Sequence, residues 1–458
     1  MENQKTVLIV AIVAIVAIVA VGAFILMNNN GNGGGDVDPD DYLTPNSGNA
    51  KVTSIDTKLL VFGNANNDVY LNKEDVTFIQ NIVDGKTKWD KKANPLADTN
   101  ADGEITDKDV GLLKEFLDNN KAPMFYLNSL LETKKIQFPL TGNIVISQYI
   151  DADMLKICGK YDLITASTDD SITPNEDDYP GSSKWKNVGG YPYDYERVVA
   201  SGVSITLGQD YNYDETFDRL VENGYSSYRL DTVKLYEGRY MNNIDAVNCT
   251  VTLGALFGSF NVSTYKEYLN YVANINEIVE KATSGITTSK SYSLVLSHAT
   301  TSPADMGIDN RSSGLTNYSD VDMAESLKMT PSYPVGAEGY IRGLTIEDIL
   351  KYNPDVIFIE ESNGSQTYDD FHAKVNEIAG WFKSSGYKGT IIGIHWNVCG
   401  SSAFVAALPL LAVYTYGNSV YSEDSAWQDL ATYYNSFLGG DYTVDELKHS
   451  IYGPFQVQ

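Results

Sequence analysis

Two stretches, one in each half of the chain, share a pattern of an amphipathic helix, a short apolar strand and a polar loop. In the earlier stretch the pattern predicts a helix over residues 195–202 and a strand over 203–207. The polar residues from 208 to 211 follow the strand directly. One such unit is common in proteins, so its meaning depends on whether it recurs.

The unit recurs at residues 345–361. Thr345 is a suitable N-cap for a helix whose apolar positions share one face, and Asn353-Pro354 ends that helix because the residue before proline avoids the helical region. The unbroken apolar run 356–359 predicts a strand buried on both faces. The polar residues from Glu360 onward predict a turn at its carboxyl end. Two units predict two α/β lobes that face each other.

Further apolar runs predict strands over residues 143–147, 162–166, 292–296 and 390–394. Residues 263–283 carry apolar side chains at helical spacing, and a helix of that length covers about 30 Å. We interpret this segment as a helix that joins the two lobes. Residues 123–142 are interpreted as a connection that leads into the first lobe.

Residues 7–27 form an uncharged apolar run that is long enough to span a bilayer of about 30 Å as a helix. The run is either a cleaved signal peptide or a retained anchor, and the absence of a small-residue cleavage motif favours the anchor. Lys5 precedes it and acidic residues follow it, so the body of the protein is expected outside the cytoplasm. Residues 28–57 are rich in Gly, Asn and Asp and predict a flexible linker.

Residues 58–120 contain two loops with calcium-ligand spacing, each followed by a helical pattern. The second loop runs from Asp98 to Asp109 and has glycine at its sixth position for the sharp turn. The first loop departs from the pattern, with Asn64 for the first aspartate and Val69 for the glycine. The predicted ligands, by side chain or by main-chain carbonyl, are Asp98, Asn100, Asp102, Glu104, Thr106 and Asp109 in the second loop, and Asn64, Asn66, Asp68, Asn72 and Asp75 in the first.

Composition narrows the choice of partners. A net charge of −27 excludes a nucleic-acid partner, because phosphate binding needs basic patches. Three cysteines without metal-ligand spacing indicate buried thiols and no disulfide framework. The 32 tyrosines and only 4 histidines suit stacking and hydrogen bonding better than proton transfer.

These motifs resemble two known families. The two helix–strand–loop units, the Gly189-Gly190 pair before the first of them and the long helix resemble the class III solute-binding proteins of iron-chelate and cobalamin ABC importers. The paired calcium loops resemble a dockerin, which implies Ca²⁺ and a cohesin-like partner. The two resemblances imply an α/β fold with two Rossmann-like lobes (121–261 and 285–458), a linking helix (262–284) and a small all-α module (58–120). The apolar run places a transmembrane anchor or signal over residues 1–27 in front of them.

In an open α/β sheet, ligands bind at the carboxyl ends of the strands, so a ligand cleft is expected between the lobes. The ligand contacts predicted from that placement are Tyr149, Tyr191, Tyr193, Gln209, Tyr211, His298, Glu361, His395 and Trp396. This aromatic, amide-rich set suits stacking against a flat organic ligand, and the resemblance implies that the ligand is a metal chelate, a corrinoid or a related tetrapyrrole. The resemblance also implies that one acid on each lobe, here Glu196 and Glu347, docks to arginines of an ABC permease.

Two other functions are compatible with the sequence. In one, the protein is a cell-surface scaffold or adhesion protein that acts through the dockerin-like module. In the other it is an extracellular enzyme, although the chain has neither a G-x-S-x-G nor an H-E-x-x-H motif. The importer-type binding protein is the function that the sequence favours, and no enzymatic activity is expected.

Overall fold

A computed structural model describes residues 38–53, 55–128, 131–146, 149–168, 179–190, 194–207, 219, 222–223, 226–228, 246–309, 326–333, 340–362 and 367–458. The predicted anchor over residues 7–27 lies outside these ranges, as do Tyr191, Tyr193, Gln209 and Tyr211. Within them, no helix combines the length and apolar character needed to cross a bilayer.

The helices and strands alternate along most of the chain. The described α-helices are α1 (Lys73–Val83), α2 (Asp107–Leu117), α3 (Tyr149–Ile157), α4 (Tyr195–Ser201), α5 (Ala246–Leu256), α6 (Ser263–Ser284), α7 (Ile346–Leu350), α8 (Tyr368–Ser384), α9 (Trp396–Cys399), α10 (Phe404–Tyr416), α11 (Glu423–Phe437) and α12 (Val444–Lys448). The described strands are β1 (Ala122–Leu127), β2 (Thr133–Phe138), β3 (Ile144–Ile146), β4 (Ile164–Ser167), β5 (Lys186–Asn187), β6 (Ile205–Leu207), β7 (Ser226–Tyr228), β8 (Ser291–Leu296), β9 (Met306–Asp309), β10 (Thr330–Pro331), β11 (Tyr340–Leu344), β12 (Val356–Glu361), β13 (Thr390–His395) and β14 (Phe455–Gln456).

Each lobe is built on its own sheet. The sheet of lobe one is parallel throughout, in the order β5-β4-β3-β6-β7. The sheet of lobe two runs β11-β9-β8-β12-β13-β14, with β10 beside β8, and its central strands β8, β12 and β13 are parallel. This arrangement confirms the predicted mixed α/β fold, and it places the carboxyl ends of the central strands at one edge of each sheet.

The helix α6, which was predicted to link the lobes, has 22 residues. It packs on α10 and α11 through a cluster of aromatic rings. Tyr268 lies edge-on to Phe437 at 5.5 Å between ring centroids, and Tyr271 does the same at 5.3 Å. Because aromatic rings bury large areas and pair edge to face, this cluster holds α6 firmly to lobe two.

The segment before the first calcium loop differs from the flexible linker predicted over residues 28–57. Residues 38–53 lie against the second loop, where Gly48 N–H donates to the Asn100 carbonyl at 3.1 Å and Ala50 N–H donates to the Ala101 carbonyl at 2.9 Å. Thr44 Oγ1 also donates to the Asp102 carboxylate at 2.8 Å. These backbone partners come from a distant part of the chain, so composition alone does not reveal them.

Residues 123–142 also differ from the expected connection. β1 and β2 form an antiparallel hairpin, and the segment before the first loop joins it: Phe62 N–H donates to the Phe125 carbonyl, and Leu127 N–H donates to the Leu60 carbonyl. A single apolar core then runs from the module through this hairpin into α5, α6 and lobe two. The calcium-loop module is therefore packed into the body of the protein.

Candidate functional site

The two lobes meet where β3 and β13 end. α3 begins at Tyr149, directly after β3, and α9 begins at Trp396, directly after β13. The Tyr149 hydroxyl donates to Asn397 Oδ1 at 2.8 Å, which bridges lobe one and lobe two. The structure therefore brings Tyr149 and Asn397 together at the strand ends, where the sequence predicted a ligand cleft.

One acid from each lobe, Asp153 and Glu360, acts electrostatically on Tyr149. Burial, then the charges of Asp153 and Glu360 among its neighbours, raises the pKa of the Tyr149 hydroxyl well above its ordinary value. Asp153 comes from α3 and is 9% exposed, and Glu360 comes from β12 and is 3% exposed. Tyr149 therefore stays protonated and acts as a hydrogen-bond donor in this region. Asp153 was not predicted as a site residue, although it lies one turn after Tyr149 on the same helix face.

The strand β12 extends through Glu361, where the sequence predicted a turn from Glu360 onward. Successive strand residues point to opposite faces of the sheet, so Glu360 lies on the face of Phe358, while Glu361 lies on the face of Ile357 and Ile359. Glu360 is therefore the acid near Tyr149. Glu361, the residue that was predicted to contact the ligand, lies in register with His395 on the other face.

His395 is buried within lobe two. It is fully buried, its Nδ1 accepts the Asn397 N–H at 3.1 Å, and its ring lies edge-on to Phe371 of α8 at 5.4 Å. Its hydrogen bond caps the first turn of α9. Strand β13 places the His395 side chain on the face of the sheet that packs against α8. There His395 caps a helix, whereas the sequence predicted that it contacts the ligand.

Trp396, by contrast, is half-buried at the start of α9, beside Asn397. A β-carbon added at Gly400 would overlap the Trp396 ring, so glycine at that position makes room for the indole. The ring is thus held next to the contact between the lobes.

His298 lies at the end of β8 and is exposed. Its Nδ1 is 3.2 Å from Ser362 Oγ, at the end of β12. Partial burial and the nearby Arg342 guanidinium lower the pKa of His298, while Glu361 raises it. His298, Ser362 and Arg342 therefore form a polar corner on the lobe-two side, and Ser362 is a member that the sequence did not single out.

The two acids that were predicted to dock to a permease are both exposed. Glu196 lies in the first turn of α4 on lobe one, and Glu347 lies in the first turn of α7 on lobe two. Acids in the first turn of a helix are favoured by its dipole, so a purely local role also accounts for their positions.

The second calcium loop is folded around its acidic residues. Asp98 accepts the N–H groups of Asp102 and Gly103 at 3.1 and 2.7 Å, and Gly103 adopts a φ of 95°. Asp109 accepts the N–H groups of Asn100 and Thr106 at 3.2 and 2.8 Å. The remaining predicted ligand is the Glu104 main-chain carbonyl at the seventh position.

The predicted ligands of the second loop are carboxylate, amide, hydroxyl and main-chain oxygens, the atom type that calcium prefers. Burial and the neighbouring Asp109 and Asp102 charges raise the pKa of Asp98 to about 7, and burial raises the pKa of Asp109 to about 6. A divalent cation would favour the ionised carboxylates that burial disfavours. In the described part of the chain, no three His, Cys, Asp or Glu side chains converge as a metal site. Amide and main-chain oxygens would therefore have to complete the coordination, as the loop pattern requires.

Comparison with known proteins identifies the fold. No family model matches the sequence, and no curated protein matches it. Among solved structures, the chain is similar to a TroA-like periplasmic binding protein, FepB, from Veillonella parvula, with 15% identity and a TM-score of 0.51 over 70% of this chain and 97% of that chain. It is also similar to the molybdate periplasmic binding protein MolA from Haemophilus influenzae, with 11% identity and a TM-score of 0.50 over 70% of this chain and 99% of that chain. The chain has the α/β fold of periplasmic solute-binding proteins.

Proposed function

We propose that the protein is an extracytoplasmic solute-binding protein that delivers cargo to an ABC importer. The observation that carries this proposal is the Tyr149–Asn397 contact, because it brings the carboxyl ends of two separate sheets together across one linking helix. That is the place where open α/β sheets bind their ligands. A role in binding without chemistry is consistent with solved structures of this fold, which are binding proteins.

The proposed cargo is a metal chelate, a corrinoid or a related tetrapyrrole. Trp396 and Tyr149 supply aromatic surface at the lobe contact, and His298, Ser362 and Arg342 supply polar groups on its lobe-two rim. A flat organic ligand with polar substituents would use both kinds of contact. Residues 7–27 are proposed to anchor the protein to the outer face of the membrane, and Glu196 and Glu347 to dock to the permease.

The test is a binding titration of the full chain, purified in detergent so that the apolar N-terminal segment is retained. Haem, cobalamin, ferric chelates and molybdate are each titrated by calorimetry, after the absorbance spectrum and native mass have been recorded for any carried ligand. We expect one ligand per chain from the haem, cobalamin and chelate group. We also expect Trp396→Ala to weaken its binding at least tenfold.

Trp381→Ala is the matched control. Trp381 is also a half-buried tryptophan of lobe two, but it lies near the carboxyl end of α8, towards the opposite edge of the sheet. The Trp381→Ala variant should leave the affinity for the ligand unchanged. Equal losses in both variants, or no binding across the panel, would contradict the proposal.

A scaffold function through the module is the second candidate. The absence of small-molecule binding together with capture of a cohesin-like protein would support it. The packing of the module into the apolar core leaves less of its surface for a partner.

A further inference from the structure

Residues 38–53, here called the strap, lie across the second calcium loop. Four hydrogen bonds join the strap to residues 100–102, three consecutive residues of that loop. Two of them are main-chain bonds, in which the N–H groups of Gly48 and Ala50 donate to loop carbonyls at 3.1 and 2.9 Å. The other two hold side chains that the sequence predicts to be calcium ligands.

The strap orients the side chains of Asn100 and Asp102. Asn100 Nδ2 donates to the Tyr42 carbonyl at 3.0 Å, and Asn100 Oδ1 accepts the Asp102 N–H at 3.1 Å. Thr44 Oγ1 donates to one oxygen of the Asp102 carboxylate at 2.8 Å, and the other oxygen accepts the Glu104 N–H at 2.9 Å. Because outer partners of this kind fix the direction of metal-ligating groups, the strap sets how both side chains present their oxygens.

The matched asparagine of the first loop is held in another way. Asn66 Nδ2 donates to the carboxylate of Asp68, in the same loop, at 2.7 Å. In the second loop the strap takes both roles, since it accepts from the amide of Asn100 and donates to the carboxylate of Asp102. These two side chains are therefore bound to the strap where the first loop binds its pair to each other.

Two more acids of the second loop are buried without a positive partner. Asp98 and Asp109 are 1% and 0% exposed, and they accept hydrogen bonds from main-chain N–H groups. Among the residues that the structure describes, neither forms an ion pair with a basic side chain. Buried carboxylates are costly unless they are paired or coordinate a metal, so this observation supports the cation predicted for the loop.

We propose that the strap is part of the calcium site: Thr44 and the Tyr42 carbonyl position two of the ligands, and bound calcium in turn holds the strap on the second loop. Thr44 acts through Asp102 and is therefore a positioning residue. The coupling is reciprocal, because a contact that strengthens calcium binding is itself strengthened by calcium. The proposal rests on the assignment of calcium to the second loop and is independent of the cargo.

Repulsion among the loop acids explains how calcium would act on the strap. The charges of Asp109 and Asp102 raise the pKa of Asp98, after burial, the largest cause. A cation would remove this repulsion and steady residues 100–102, to which the strap is bonded. The strap also has contacts outside the loop, such as the bond from Thr133 Oγ1 to the Ala50 carbonyl at 2.7 Å. Calcium should therefore slow the local opening of a strap that is already docked.

The experiment follows hydrogen exchange of residues 42–50 in the full chain as free calcium is raised. Exchange should slow in wild type, and this response should be lost in Asp98→Asn. Thr44→Val keeps the shape of the side chain and removes its hydroxyl, so the calcium concentration that gives half of the effect should rise about tenfold. Thr44→Ser retains the hydroxyl and should respond as wild type does.

Thr53→Val is the matched control. Thr53 is exposed at the end of the strap, so the same substitution there should leave the half-effect concentration unchanged. Native mass spectrometry of the same samples counts the bound calcium. Exchange that ignores calcium in a chain that holds it would overturn the proposal, and so would an unchanged half-effect concentration in Thr44→Val. A wild-type chain that holds no calcium would overturn both the calcium assignment and the proposal, and would leave the cargo titration unaffected.

Discussion

The Tyr149 side chain forms a hydrogen bond that depends on contact between the two lobes. Its hydroxyl is the donor to Asn397, and burial, together with the nearby acids, raises its pKa so that it stays protonated and the bond persists across the ordinary pH range. A buried hydrogen bond of this kind contributes about 1 kcal/mol to stability. It forms only when the lobes are in contact.

A double-mutant cycle tests this contact. We expect Tyr149→Phe and Asn397→Ala each to lower the free energy of unfolding, and the double variant to lose less than the sum of both. The expected coupling is about 1 kcal/mol, measured from denaturant midpoints. Strict additivity of the two losses would mean that the hydrogen bond is absent in solution.

At the scale of the elements, the packing of α5 on α6 depends on one glycine. A β-carbon added at Gly254 would overlap the ring of Tyr265, and the Tyr265 hydroxyl donates to the Val251 carbonyl at 2.5 Å. The ring therefore lies flat against the backbone of α5. The contact between Gly254 and Tyr265 therefore sets how closely α5, of lobe one, and α6 can pack.

The variant Gly254→Ala should destabilise the protein by about 1–3 kcal/mol, because the inserted methyl group forces the two helices apart. Gly380→Ala is the matched control: Gly380 also lies within a helix, α8, but a β-carbon there has nothing within 4 Å. It should stabilise the protein by about 0.5–1 kcal/mol, as alanine favours the helix. Chemical denaturation gives the free energy of unfolding of both variants, and equal changes in the two would contradict the packing argument.

The sequence also predicted several helices and strands well. Cap residues and apolar runs located α7, β12 and the linking helix within a few residues of their observed bounds. The same local signals failed for His395, because β13 runs one residue further than its apolar run and carries that side chain to the α8 face. They failed for residues 38–53 as well, since the mostly polar residues there bond to a loop about fifty residues away.

For the molecule as a whole, the module and the lobes share one apolar core. Leu60 and Phe62 of the module are fully buried, and so are Phe138 of the hairpin and Leu256 of α5. Removing residues 38–120 would expose these surfaces, so the lobes are not expected to be stable without the module. A scaffold model in which the module moves freely does not fit this packing.

Calcium should accordingly stabilise more than the module. At a free concentration one hundred times its dissociation constant, a bound ion adds about 2.7 kcal/mol to the free energy of unfolding. We expect calorimetry of the full chain to show module and lobe one unfolding together, with the transition raised by calcium and unaffected in Asp98→Asn. A separate module transition that alone responds to calcium would contradict the shared core.

Because residues 38–53 pack against the second loop, they limit how far the folded body can extend from the membrane. If residues 7–27 are the proposed anchor, only residues 28–37 separate the bilayer from the folded body, and ten residues extend to at most about 36 Å. A free tether over 28–57 would have allowed roughly three times that distance. So short a tether would hold the folded body within about 36 Å of the bilayer surface, so that its encounters with a permease would take place in a thin layer over the membrane.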